Sequence, residues 1–154
     1  MAQVELSLSA PLVPRARMPM EQEVLENNLD RWSAVVAGAA EPSLVIDSDA
    51  MIVAASESCC ELFGFGPPAS AIGRFLLDGV FRFVDFTAAR GELAEGEIDK
   101  IAPLLALSSG RLARGLIRVQ CGAGDDDVCT ADAIATPLWQ GETVVGSLTF
   151  FSAI

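Results

Sequence analysis

Four cysteines are the residues of this 154-residue chain best equipped for chemistry, and they come as two pairs. Cys59 and Cys60 are adjacent in "ASESCCELFGFGP", residues 55 to 67, while Cys121 and Cys129 flank "GAGDDDV". Thiolates serve as nucleophiles, redox centres and soft metal ligands. The chain contains no histidine and no tyrosine, so the usual general base near neutral pH, the commonest metal ligand and the phosphorelay imidazole are all missing. An enzyme would have to work with carboxylates, Lys100, serines or thiols. The expectation is therefore a non-enzyme, with a carboxylate-based hydrolase ranked last.

Neighbouring residues on a helix point about 100° apart, so Cys59 and Cys60 are poorly placed to share a metal, and a vicinal disulfide would distort the peptide. They read as small core residues. Cys121 and Cys129 lie at facing ends of a hairpin, where a cross-strand disulfide is conceivable, but a reducing compartment makes free thiols the expectation. All four cysteines together support an alternative reading, a thiol-based redox sensor. Asp125, Asp126 and Asp127 lack the spaced oxygens and bidentate Glu of a calcium loop and read as a solvated loop tip. No metal site and no cofactor are expected.

Composition narrows the partners. With 21 acidic and 10 basic residues the net charge is −11, which lacks the clustered cations of a nucleic-acid footprint. A hydrophobic fraction of 51% argues against disorder, and no apolar run approaches the roughly 20 residues of a membrane span. The first 20 residues lack a basic n-region and an unbroken apolar stretch, so no export signal is read and a cytoplasmic location is expected.

The elements that must position these groups follow from periodicity. Residues 1-20 read as a flexible leader, residues 21-39 as an N-terminal amphipathic helix, and residues 40-154 as one folded domain. On that helix Leu25, Leu29, Trp32 and Val36 form an apolar stripe, the candidate surface for a homodimer or for docking on the chain's own sheet. "SLVIDSDAMIVAAS" predicts a hairpin turning at Asp47 to Asp49. Ser56 and Glu57 open a short helix that ends at Phe63, with Gly64, Gly66, Pro67 and Pro68 stopping it. Residues 69 to 90 read as short helical turns, and residues 92 to 108 as a helix in which Pro103 sits at a kink or near a start. The last third, "RGLIRVQCG", "TADAIATPLW" and "ETVVGSLTFFSA", predicts three antiparallel strands. Two strands, a helical block and three strands make an α+β arrangement: a five-stranded antiparallel sheet with short helices on one face.

Three stretches resemble the PAS domain family, over about Val35 to Ile154. "PSLVIDSDAMIVAASESCCELFGFG" is similar to that family's opening hairpin and first helix, with Leu62, Phe63, Gly64 and Phe65 at its end. "AIGRFLLDGVF" is similar to its glycine-led segment through Gly73, Arg74, Phe75, Leu76 and Asp78. "ATPLWQGETVVGSLTFFSAI" is similar to its closing hairpin through Pro137, Leu138, Gly141, Val144, Val145 and Gly146. The chain departs from the family at Ser56, where an asparagine is common, and Gly73 and Arg74 run into Phe75 without the asparagine-cysteine-arginine sequence of flavin photoreceptors. The absence of histidine also argues against haem ligation.

The resemblance implies a PAS-like regulatory module that senses or interacts. Its expected partners are a second copy of the chain, a signalling protein and a small apolar ligand, with neither nucleic acid nor membrane. No kinase, cyclase or DNA-binding segment accompanies the module here, so output is expected to pass through a partner or self-association, as in a bacterial-type regulator. Candidate pocket residues are Phe63, Phe75, Phe83, Phe86, Ala133 and Ala135, from a phenylalanine-rich block that also reads as plain core. Ala131, Ala133 and Ala135 alternate on one strand face and leave room there, or, facing outward, let a helix pack closely. Arg114 and Arg118 share a strand face, where they bind an anion or point to solvent.

Overall fold

The sheet expected from the strand pattern forms in the computed structural model, which describes residues 28–87, 89–122, 124 and 126–154. The leader, the first part of the expected N-terminal helix and Leu25 lie outside the described residues. The elements are α1 (Asn28–Ala37), β1 (Ser43–Asp47), β2 (Ile52–Ala55), α2 (Glu57–Phe63), α3 (Glu95–Ile98), α4 (Ala102–Ser109), β3 (Ala113–Gln120), β4 (Val128–Gln140) and β5 (Thr143–Ala153). Spatial order is β2-β1-β5-β4-β3, antiparallel throughout, so the last strand inserts beside the first.

Local chemistry sets the turns. Asp47 Oδ1 accepts hydrogen bonds from the Asp49 and Met51 amides at 2.9 and 3.0 Å, which closes the β1–β2 turn. Ser56 caps α2 by accepting from the Cys59 amide at 3.2 Å, and the same hydroxyl accepts from the Ser43 amide and donates to the Glu41 carbonyl. One buried hydroxyl thus joins the start of β1 to the start of α2. Gly64 ends α2 at φ 73°, and its Cα lies so close to the Cys121 carbonyl that a Cβ would overlap it.

Two expectations change in the middle of the chain. Residues 92 to 108 do not make one helix. They break into α3 and α4, because Pro103 lacks an amide to continue a helix and instead occupies the first turn of α4. Among the described residues of the stretch from 69 to 90, helix is confined to a 3₁₀ turn, Pro68–Ser70, and a π turn, Leu76–Val80. Beyond them the chain extends and pairs with the open edge of β3: the Val84 amide donates to Arg118 O and the Gln120 amide to Arg82 O, both at 2.9 Å. That pairing blunts an otherwise unpaired edge.

The two sheet faces are packed separately. On the inner face, Cys59, Cys60 and Phe63 of α2 and Ala102 and Ala106 of α4 join Phe81, Phe83 and the inward residues of the sheet in one core. Ala131, Ala133 and Ala135 face this side and are fully buried, and α4 packs over them. The Ser147 hydroxyl, also buried, donates to Pro103 O at 2.9 Å and ties α4 to β5. On the outer face α1 lays Leu29 and Val36 against Val45, Ala54, Leu138 and Leu148. No helix among the described residues is long and apolar enough to cross a membrane.

Candidate functional site

A groove of about 380 Å³ opens where the end of α2, the segment around the π turn and the β3–β4 turn meet. Phe63 and Phe65 form its apolar wall, their rings 5.9 Å apart, and Phe65 stands edge-on to Phe81 at 4.5 Å. Arg74 and Arg82 line the polar side with Gln120. Arg74 Nη2 donates to Asp78 O at 3.0 Å. Arg82 lies between buried Phe81 and Phe83, and the period-two alternation of that extended segment turns its side chain away from the core. A smaller groove of about 220 Å³ on the other side of Arg82 runs past Phe83, Leu93 and Ile98 and includes Glu92.

The six expected pocket residues are not brought together. Phe63 and Phe83 each reach one of these grooves, whereas Ala133 and Ala135 are closed off beneath α4. Phe75 and Phe86 remain 38% and 56% exposed. Phe75 is drawn to the rim by its backbone bridge to Met51, and Phe86 carries the Arg118 guanidinium 5.6 Å above its ring. Arg118 also donates to Asp85 O, and Arg114 pairs with Asp132 at 2.6 Å, so both strand arginines have partners within the fold. That pairing holds the Asp132 carboxyl below the usual carboxylate range, and hydrogen bonds from Thr87 do the same for Asp85. The groove arginines escaped the sequence reading, although the alternation in "FRFVDF" was a signal that Arg82 leaves the core on the side opposite to Phe81 and Phe83.

The cysteines separate into two kinds. Cys59 and Cys60 are buried free thiols, and burial pushes both upward in pKa, reinforced by the other thiol at Cys59 and by Glu57 at Cys60. Neither is poised as a thiolate. Cys121 and Cys129 are joined in a disulfide across the β3–β4 turn, with Cα atoms 6.0 Å apart. This corrects the expectation of free thiols: the register sets Val119 opposite Cys129, so Cys121, two residues further on, comes within bonding reach diagonally. Among the described residues no cluster of His, Cys, Asp or Glu is arranged to hold a metal.

Of the stripe expected on the first helix, Val36 and Leu29 are turned onto the chain's own sheet, and Trp32 stays 39% exposed. Val35, Leu116, Ile134 and Phe150 are also exposed, with Ile134 directly opposite Phe150 on the outer sheet face. One buried polar atom stands out: Thr149 Oγ1, on the inner face opposite Ala135, has no hydrogen-bond partner among the described residues.

This architecture is a PAS-like fold. Solved structures similar to it include the PAS domain of the fruit-fly ELK potassium channel (15% identity, 82% of this chain and 96% of that one, TM-score 0.59). The Rhodobacter sphaeroides LOV protein is similar at 14% identity, over 84% of this chain and 68% of that one, with TM-score 0.59. The Vibrio cholerae VqmA dimer, described as a LuxR-type receptor that binds DNA, is similar at 18% identity and TM-score 0.55, over 82% of this chain but only 51% of VqmA. No family model and no curated protein matches the chain in sequence. Beneath the helices Phe63, Phe81, Phe83 and Phe151 interlock edge-to-face and stacked.

Proposed function

We propose that the chain is a non-catalytic sensory module of the PAS type whose output is association: it forms a homodimer through the outer sheet face and α1, and a small apolar ligand or a signalling partner biases that association. The observation that supports this reading is the apolar exposure on the outer face, where Ile134 stands opposite Phe150 and Leu116 follows on the neighbouring strand, together with Trp32 and Val35 exposed on α1. Several large apolar side chains exposed on one side of a sheet are typical of a surface that is covered in use. Because α1 crosses the same face, any change in its seating alters that surface. Light scattering of the wild type against the Trp32→Glu, Phe150→Glu double variant tests it. A dimer mass that falls to a monomer mass, with unchanged circular dichroism, is the expected result; a monomeric wild type or a dimeric variant rules out this interface.

A second reading is favoured by the disulfide itself. A thiol-based redox sensor, with all four cysteines as candidates, narrows to Cys121 and Cys129, because burial suppresses the thiolates of Cys59 and Cys60. The bonded turn touches the cap of α2 at Gly64, so reduction would loosen one wall of the groove. Association and groove dynamics measured with and without a phosphine reductant decide this, and identical behaviour in the two states leaves the disulfide purely structural.

A further inference from the structure

We propose that the groove between α2 and the β3–β4 turn binds a small molecule with a flat apolar body and one anionic group, the anion held between Arg74 and Arg82. This rests on the sensory reading above and gives its ligand a chemical class. The groove joins two surfaces that seldom meet by accident. One is aromatic: Phe65 lies at the surface of the groove, with buried Phe63 and Phe81 packed against it. The other is cationic, and among the described residues neither Arg74 nor Arg82 has a carboxylate within ion-pair distance, in contrast to Arg90 with Asp126, Lys100 with Glu97 and Arg114 with Asp132. No Asp or Glu is among the described residues that line the groove. In a chain with 21 acidic and 10 basic residues, the surrounding field disfavours anions generally, so two cations facing one concavity create a local exception.

The geometry limits the ligand. A guanidinium presents a planar fork that matches a carboxylate or phosphate, and Arg74 has its fork anchored by Asp78 O while the backbone of Arg82 is pinned by the Gln120 amide. A volume of about 380 Å³ lies at the small end of ligand sites, which suits one ring with a short acidic arm. The disulfide turn supplies Cys121 and Gly122 to the lining, so the site is complete only when that turn is seated on Gly64.

The test is a ¹⁵N amide titration of the full chain with sodium phenylacetate, the neutral phenylacetamide, and phenyl phosphate. Phenylacetate should shift and saturate the amides of Phe65, Arg74, Arg82 and Gln120, while phenylacetamide needs at least about tenfold more ligand. Arg74→Gln and Arg82→Gln should each weaken phenylacetate about tenfold and leave phenylacetamide unchanged. Whichever of phenylacetate and phenyl phosphate saturates first identifies the anion as a carboxylate or a phosphate ester. Equal binding of acid and amide, persistence of the shifts in both variants, or no shift at the groove overturns the proposal. Oligomer mass in the same samples separates the two readings: a dimer without groove shifts keeps the sensory reading and removes the site, and groove shifts in a monomer do the reverse.

Discussion

On its inner face the sheet is sealed by many small devices acting together: Phe63 and Phe81 interlock with Phe151, α4 lies on three alanines, and Ser56 and Ser147 hydrogen-bond helices to strands. On its outer face, among the described residues, one helix provides the cover, through Leu29 and Val36, and apolar residues beyond it are exposed. The same sheet therefore carries one face locked into the fold and one face that, on the proposed reading, is where a second copy would sit. Fold stability and association should separate by substitution, which is what a module that signals by association needs.

Substitutions can break that contrast. Phe63→Ala should cost about 3–5 kcal/mol by opening a cavity in the inner core, measured by chemical denaturation. Ser56→Ala should cost about 2 kcal/mol, since it removes the cap of α2 and strands the buried Ser43 amide and Glu41 carbonyl. A loss no larger than that of an exposed serine would show that the inner face is not locked as described. Thr149→Val should stabilise by about 1 kcal/mol, because the hydroxyl it removes is buried without a partner; a loss of stability would mean the hydroxyl is satisfied in solution. On the outer face, Trp32→Ser should move the stability of the fold by no more than about 0.5 kcal/mol while weakening association, which sedimentation resolves.

The smallest expected effect is electrostatic. Asp132 and Asp85 have depressed folded-state values, so whatever stability they contribute is present above the ordinary carboxylate pKa of about 3.9 and is lost as pH falls through the lower folded values. Arg114→Leu should return the Asp132 titration toward the ordinary value in a ¹³C-carboxyl pH titration and leave Asp85 where it is. An unmoved Asp132 would mean that Arg114 is not the cause.

Much of this was legible because it is local. Ser56, Gly64, the Asp47 turn and the shift to period two after Gly110 each act within a few residues, and they announced α2, the first hairpin and the final meander. Pro103 announced a start but not the break before it, since the residues on both sides have helical spacing. The groove was invisible because Arg74 and Arg82 meet Gln120 only after residues 82 to 84 pair with the edge of β3. The disulfide was geometrically foreseeable, yet compartment chemistry argued the other way. Which side of the first helix would be covered could not be read from Leu29, Trp32 and Val36, because a stripe is equally apolar toward a sheet or a second copy.

Gly146 holds a record of that choice. A Cβ there would run into the Ile46 carbonyl and the end of Leu29, so the bare backbone is the space into which the first helix settles. The same bare position lets β1 approach β5 closely, so sheet and helix share one clearance. A single added methyl would press on two neighbours at once, so Gly146→Ala should strain the β1–β5 pairing at Ile46 as well as unseat Leu29, and any loosening of α1 should come with a loss of fold stability.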